Sequence, residues 1–147
     1  MKSNSDCKII ESDISSVVAI SKKIPEFDGP PEAEVYQERL SPVPHLILVA
    51  QVNGVNAGFK VGYERDGYFY SWMGGILPEF RKLGLAKALA DAQEIWAKSQ
   101  GYTTITFKTR NHHKGMLIFA IKNGFDIIGF KEKETIATNR ILLRKTL

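Results

Sequence analysis

The chain has 147 residues, 44% of them hydrophobic and 24% charged, and carries a formal net charge of +4. That balance excludes a disordered segment and fits one folded domain over residues 1–147 with a real core. It also excludes an internal disulfide, because Cys7 stands alone, and a spanning helix, because the longest apolar run (46–50) is far short of the ~18 residues a crossing needs.

The first six residues contain no apolar segment of the kind a signal peptide has, and with the lone thiol this predicts a cytoplasmic protein. No His/Cys spacing suggests a metal site. Charge is uneven: residues 100–147 hold nine basic residues against three acidic. The nine are spread through predicted strands and a helix rather than forming a run. This reads as a solvated face, with no nucleic acid and no membrane expected as partners.

In chain order, residues 8–11 predict a short strand. Ser12 and Asp13 then offer a cap for a helix through about Ile24, ended by Pro25. Pro31 at a first helical position predicts a second helix through Leu40. Residues 45–52 read as a buried strand, 55–65 as its hairpin partner and 68–77 as a third strand. Asn53-Gly54 and Asp66-Gly67 are the turns between them. Gly74-Gly75 predicts a bulge or a close approach in the third strand. A helix is expected over 81–99, with Leu85, Leu89, Ala92 and Trp96 on its apolar face. After it come a strand over 103–109, a helix over 113–123, and strands over 125–131 and 135–145.

The most informative stretch is 74–86, which runs from the third strand through Pro78 into the long helix. The first turn of a helix carries amides without intrahelical partners and the positive end of the macrodipole. Gly84 and Ala86 leave those amides accessible, and Arg81 and Lys82 add positive charge, a combination suited to a phosphate.

The run Gly75-Ile76-Leu77-Pro78-Glu79-Phe80-Arg81-Lys82-Leu83-Gly84-Leu85-Ala86 resembles the acetyl-CoA-binding motif of the GNAT acetyltransferase superfamily, Q/R-x-x-G-x-G/A. Lys122-Asn123-Gly124-Phe125 is similar, more loosely, to the helix-plus-Gly-Phe segment further along in that family. The resemblance implies an α/β fold, a central mostly antiparallel mixed sheet with helices on both faces, and acetyl-CoA as cofactor. It implies cofactor contacts from Gly74, Gly75 and Ile76 on a bulged, splayed strand and from Arg81, Lys82, Leu83, Gly84, Leu85 and Ala86 in the cradle. Asn111 or His113 would contact the cofactor arm. The tyrosine that many members carry before the Gly-Phe pair falls at Ala120, so the usual acid is absent.

Acetyl transfer to an amine needs a neutral amine, a polarised carbonyl and a proton for the leaving thiolate. Amides around residues 72–75 are the carbonyl polarisers that the resemblance implies. Tyr70 and Glu79 are the catalytic candidates, each for the role of base. In the family the acceptor pocket lies between the first two helices and the middle strands, which here points to Phe27, Glu32, Tyr36 and Trp72. Glu26, Asp28, Glu32, Glu34 and Glu38 make that region acidic, which predicts a cationic acceptor. The sequence thus reads as an acetyl-CoA-dependent N-acetyltransferase acting on a primary amine of a small molecule or protein. The alternative is a non-catalytic acyl-CoA-binding module of the same fold. Pairing of C-terminal strands offers a route to a homodimer.

Overall fold

The computed structural model describes residues 6–147; the N-terminal segment expected to lack a signal peptide lies, except for Asp6, outside the described residues. β1 (Cys7–Glu11), α1 (Ile14–Ser21), α2 (Ala33–Leu40), β2 (His45–Val52), β3 (Val55–Arg65) and β4 (Tyr68–Ile76) form the first half. α3 (Leu85–Ser99), β5 (Thr104–Arg110), α4 (Lys114–Lys122), β6 (Asp126–Lys131) and β7 (Arg140–Thr146) form the second. The seven strands make one sheet in the order β1-β2-β3-β4-β5-β7-β6. Every neighbouring pair is antiparallel except β4–β5. This is the mixed α/β sheet that the sequence led us to expect.

Strand β2 explains the layering. It is apolar nearly throughout because both of its faces are covered. Ile47 and Val49 pack with Phe59, Val61 and Tyr63 against Val17 and Ile20 of α1 and Tyr36 and Leu40 of α2. Leu46, Leu48 and Ala50 point the other way, with Phe69 and Ile105, onto Leu85, Leu89 and Ala97 of α3. Asp13 caps α1 by accepting a hydrogen bond from the Ser16 amide at 2.9 Å. The two hairpin turns carry positive φ at Asn53, Gly54, Asp66 and Gly67, as the dipeptides predicted.

Four expectations are corrected. Pro31 precedes the second helix, whose N-cap is Glu32. The long helix starts at Leu85 and not at Arg81. Residues Pro78–Phe80 form a single 3₁₀ turn, and Lys82 (φ 66°) and Gly84 (φ 80°) then take left-handed conformations that no helix can include. The bulge of β4 lies at Trp72, which is skipped between the pairs Gly62↔Ser71 and Val61↔Met73. Gly74 and Gly75 pair in register with Lys60 and Phe59. The last strand begins at Arg140 and not at Thr135, because Thr135 and Thr138 close a hydroxyl-bonded turn instead.

The parallel junction positions the site. β4 and β5 are joined by only two register pairs, Phe69↔Ile105 and Tyr70↔Thr106. Beyond Tyr70 the strands diverge, and the sheet opens.

Candidate functional site

A cleft of about 820 Å³ occupies that opening. It is lined from one face of the sheet by Ile24, Phe27 and Trp72 and from the other by Leu89, Ala90 and Gln93, so it passes through the sheet. Its volume falls in the range of about 300–1,000 Å³ typical of ligand sites. The β4–α3 loop forms one end. There the first backbone bond of α3 runs from the Ala88 amide to the Gly84 carbonyl at 3.1 Å, which leaves the preceding amides without intrahelical acceptors. Gly84 provides no capping side chain. Left-handed backbone at Lys82 and Gly84 turns the loop back on itself, and such a turn gathers amides into an anion-binding concavity.

Arg81 fixes this loop. Its Nε donates to the Ile76 carbonyl at 3.0 Å, and its two Nη groups donate to both oxygens of Glu26 at 2.9 Å. A residue from the segment after α1 is thereby tied to the loop before α3. The hydrogen bonds from Arg81 hold the Glu26 carboxyl down at about 2, against an ordinary 4.5. A depressed carboxylate contributes stability that is complete above its unfolded pKa and is lost as pH falls through its folded one. Both side chains are more than a third exposed, so the contribution is only ~0.5 kcal/mol. Urea melts at pH 5 and pH 2 are expected to show that loss in the wild type and not in Glu26→Gln.

Of the expected site residues, Tyr70, Gly74, Gly75, Ile76, Arg81, Lys82, Gly84, Leu85, Ala86, His113, Phe27 and Trp72 all line the cleft. Five do not. Glu79 sits exposed on the 3₁₀ turn and Leu83 points to solvent. Glu32 is exposed and pairs with Lys22 at 3.1 Å. Tyr36 is sealed in the core against Trp72, with ring centroids 5.0 Å apart. Asn111 is engaged elsewhere: its Nδ2 donates to the Ile136 carbonyl, and its Oδ1 accepts from Lys114. Gly75 faces the segment after α1, where a Cβ would stand 2.7 Å from Ile24 Cδ1, so its small size serves the packing of that segment on the strand.

The electrostatics are more specific than the sequence suggested. Burial pushes the Tyr70 phenol up, so it stays protonated at neutral pH and is suited to giving a proton rather than taking one. Burial, followed by the neighbouring His112 and Arg110, pushes His113 down, so its imidazole is neutral. The acidic wall is corrected. Glu26 is spent on Arg81, whereas the aromatic floor is covered by cations: Arg39 lies 4.5 Å from the Trp72 ring centroid, and Arg65 and Lys108 lie 5.2 and 5.7 Å from that of Tyr70.

On the α3 face, sequence reasoning missed Lys60, Gln93 and Glu94. Gln93 is 1% exposed, and both polar atoms of its side chain lack a partner among the described residues. Lys60 stands opposite Gly74 and keeps some exposed surface, but burial of its ammonium brings its pKa down to about 8, with Glu94 working against that fall. Glu94 in turn accepts from Lys145 at 2.7 Å. Gln93 left a signal, as a polar residue in the apolar stripe 85-89-93-97.

Residues 14–125 match the family described as Acetyltransferase (GNAT) family. No curated protein matches the sequence. Among solved structures, the chain is similar to the ribosomal-protein-S18-alanine N-acetyltransferase of Escherichia coli (TM-score 0.84, 14% identity, 96% of this chain and 94% of that one). It is similar to Ard1 of Thermoplasma volcanium (0.82, 18%, 96% and 97%). It is also similar to the PaiA N-acetyltransferase of Thermoplasma acidophilum in complex with coenzyme A (0.76, 14%, 97% and 99%). At these identities the likeness establishes the fold.

Proposed function

The chain belongs to the GNAT acetyltransferase family, and from that premise we propose that it transfers an acetyl group from coenzyme A to a primary amine of a small molecule or protein. The observation that carries this reading is the cleft through the β4–β5 opening, with an anion-binding loop and an uncapped helix start at one end. The residues present fit the cofactor. Loop 81–84 and the first turn of α3 take its phosphates, helped by Lys82. The edge of β4 at Gly74 and Ile76, freed from β5 by the opening, offers backbone groups to its amide-bearing arm.

When bound, acetyl-CoA would supply the acyl group as a thioester, and its thiol would leave with the proton that the amine gives up. The chain's part is to position and to manage protons. Phe27 and Trp72 wall the cleft and exclude water. The bulge at Trp72 leaves that residue without a register partner on β3, and its amide is the carbonyl polariser in this reading. Tyr70 Oη holds a proton at the last joined pair of β4 and β5, beside the opening, and replaces the acid missing at Ala120. Tyr70→Phe is therefore expected to lower kcat by ~100-fold while coenzyme A affinity changes less than ~3-fold. Equal effects on the two would make Tyr70 a packing residue.

The experiment for the reading as a whole is thiol release from acetyl-CoA across a panel of amines. Amine-dependent release supports it. Coenzyme A binding without release on any amine would favour a non-catalytic binding module.

A further inference from the structure

The sheet face that carries Tyr70 also carries a row of like charges. The ladder sets Arg110 of β5 opposite Arg140 of β7, and Arg140 opposite Lys131 of β6. Three cations thus stand side by side on one rung across three strands, an arrangement that destabilises a sheet. Lys108 lies two residues back from Arg110 on the same face of β5, diagonal to Arg140. Among the described residues no carboxylate forms an ion pair with any of these four. Lys108 registers the crowding: its pKa is lowered by burial first, and then by Arg65, Arg140, Lys131 and Lys133. Beside the rung is a second, polar recess of about 530 Å³, walled by Lys133, Glu134, Thr135 and Thr138. Arg110 and Arg140 line both it and the main cleft, so the two adjoin.

We infer that the acceptor amine also bears an anionic group, phosphate or carboxylate, which seats on the Arg110–Arg140–Lys131 rung, on the sheet face that carries Tyr70. The inference rests on the acyltransfer reading for what the seated molecule undergoes. A bound anion offsets the repulsion that the ligand-free sheet sustains. The same cations favour the uncharged form of a nearby amine, which is the nucleophilic form. A recess closed by Thr135 and Thr138 suits a compact anion better than a long polyanion, and the Glu134 carboxylate in its wall leaves the rung itself as the anion's seat.

The test pairs amines that differ only in the anion. O-phosphoethanolamine, β-alanine and ethanolamine are titrated calorimetrically into the protein, with and without saturating coenzyme A, and compared in thiol release. The anionic amines are expected to exceed ethanolamine by ~10-fold or more in affinity and in kcat/KM, an effect within reach of one or two charge-assisted hydrogen bonds. Arg140→Met is expected to erase that preference and, by relieving the rung, to raise the low-salt Tm of the ligand-free protein by about 2 °C. Lys131→Met, at the exposed end of the rung, serves if Arg140→Met does not fold. Equal handling of the three amines, or preference for ethanolamine, overturns the inference. So does binding restricted to an oligonucleotide with a steep salt dependence. Arg140-dependent binding of O-phosphoethanolamine without thiol release from any amine upholds the anion seat and overturns the acyltransfer reading.

Discussion

Gly84→Glu is expected to weaken coenzyme A binding by ~100-fold or more while leaving a folded protein. The position is open, since a Cβ there meets no atom within 4 Å, so the new side chain displaces nothing in the core. Its carboxylate arrives in front of the unpartnered amides of α3, where it competes with a phosphate and repels it. The backbone adds a second and smaller effect. At φ 80° any residue with a Cβ is strained by roughly 1–2 kcal/mol, which lowers Tm by several degrees. Gly84→Ala separates the two, because it carries the strain without the charge. Calorimetry should find coenzyme A bound to Gly84→Ala within ~5-fold of wild type. If both variants lose binding alike, backbone conformation and not charge governs the loop.

Phe69→Ala is expected to give the largest loss of stability, ~3–5 kcal/mol in a urea melt and about 10 °C in Tm. Phe69 is wholly buried, its ring centroid lies 5.4 Å from those of both Trp96 and Tyr102, and it pairs with Ile105 in one of the two contacts that join β4 to β5. Its room exists because β3 places Gly62 beneath it, where a Cβ would stand 2.5 Å from Phe69 Cε2. A cavity here loosens the junction from which the cleft opens, so coenzyme A should bind more weakly in the folded fraction as well. A loss below ~1 kcal/mol would mean that the junction is held elsewhere.

These two residues mark what local sequence can and cannot specify. The elements of the first half were legible because their signals are short-range: β2 and β3 fall at the expected residues, bounded by turn dipeptides that supply positive φ. The start of α3 was read four residues early. Helical periodicity extrapolates backwards smoothly, and nothing in Arg81-Lys82-Leu83 announces that Lys82 adopts a left-handed backbone. Gly74-Gly75, as weak strand formers, read as a bulge or a close approach, and a close approach is what Gly75 makes, to Ile24. The bulge itself is at Trp72, whose ring packs against Tyr63 across the hairpin and against Tyr36 of α2.

The site divides in the same way. The loop before α3 and the first turn of that helix form one continuous segment, and of the residues expected there all but Leu83 line the cleft. The acidic residues counted along the chain do not gather at the cleft, where of the five only Glu26 is a lining residue. Glu26 is neutralised by Arg81, 55 residues away. The rung of Arg110, Arg140 and Lys131 comes from strand register, with β7 inserted between β5 and β6, which no run of sequence displays. Lys60 and Gln93 approach the cleft from separate elements and converge only in the fold.

The measurement that bears most directly on all of this is a calorimetric titration of coenzyme A into the wild-type protein and into Gly84→Glu. Saturable binding in the micromolar range, about −8 kcal/mol, that is lost in the variant is the result expected of a cofactor held by loop 81–84 and the start of α3. Absence of binding to the wild type at millimolar coenzyme A, or equal binding to both proteins, would contradict it.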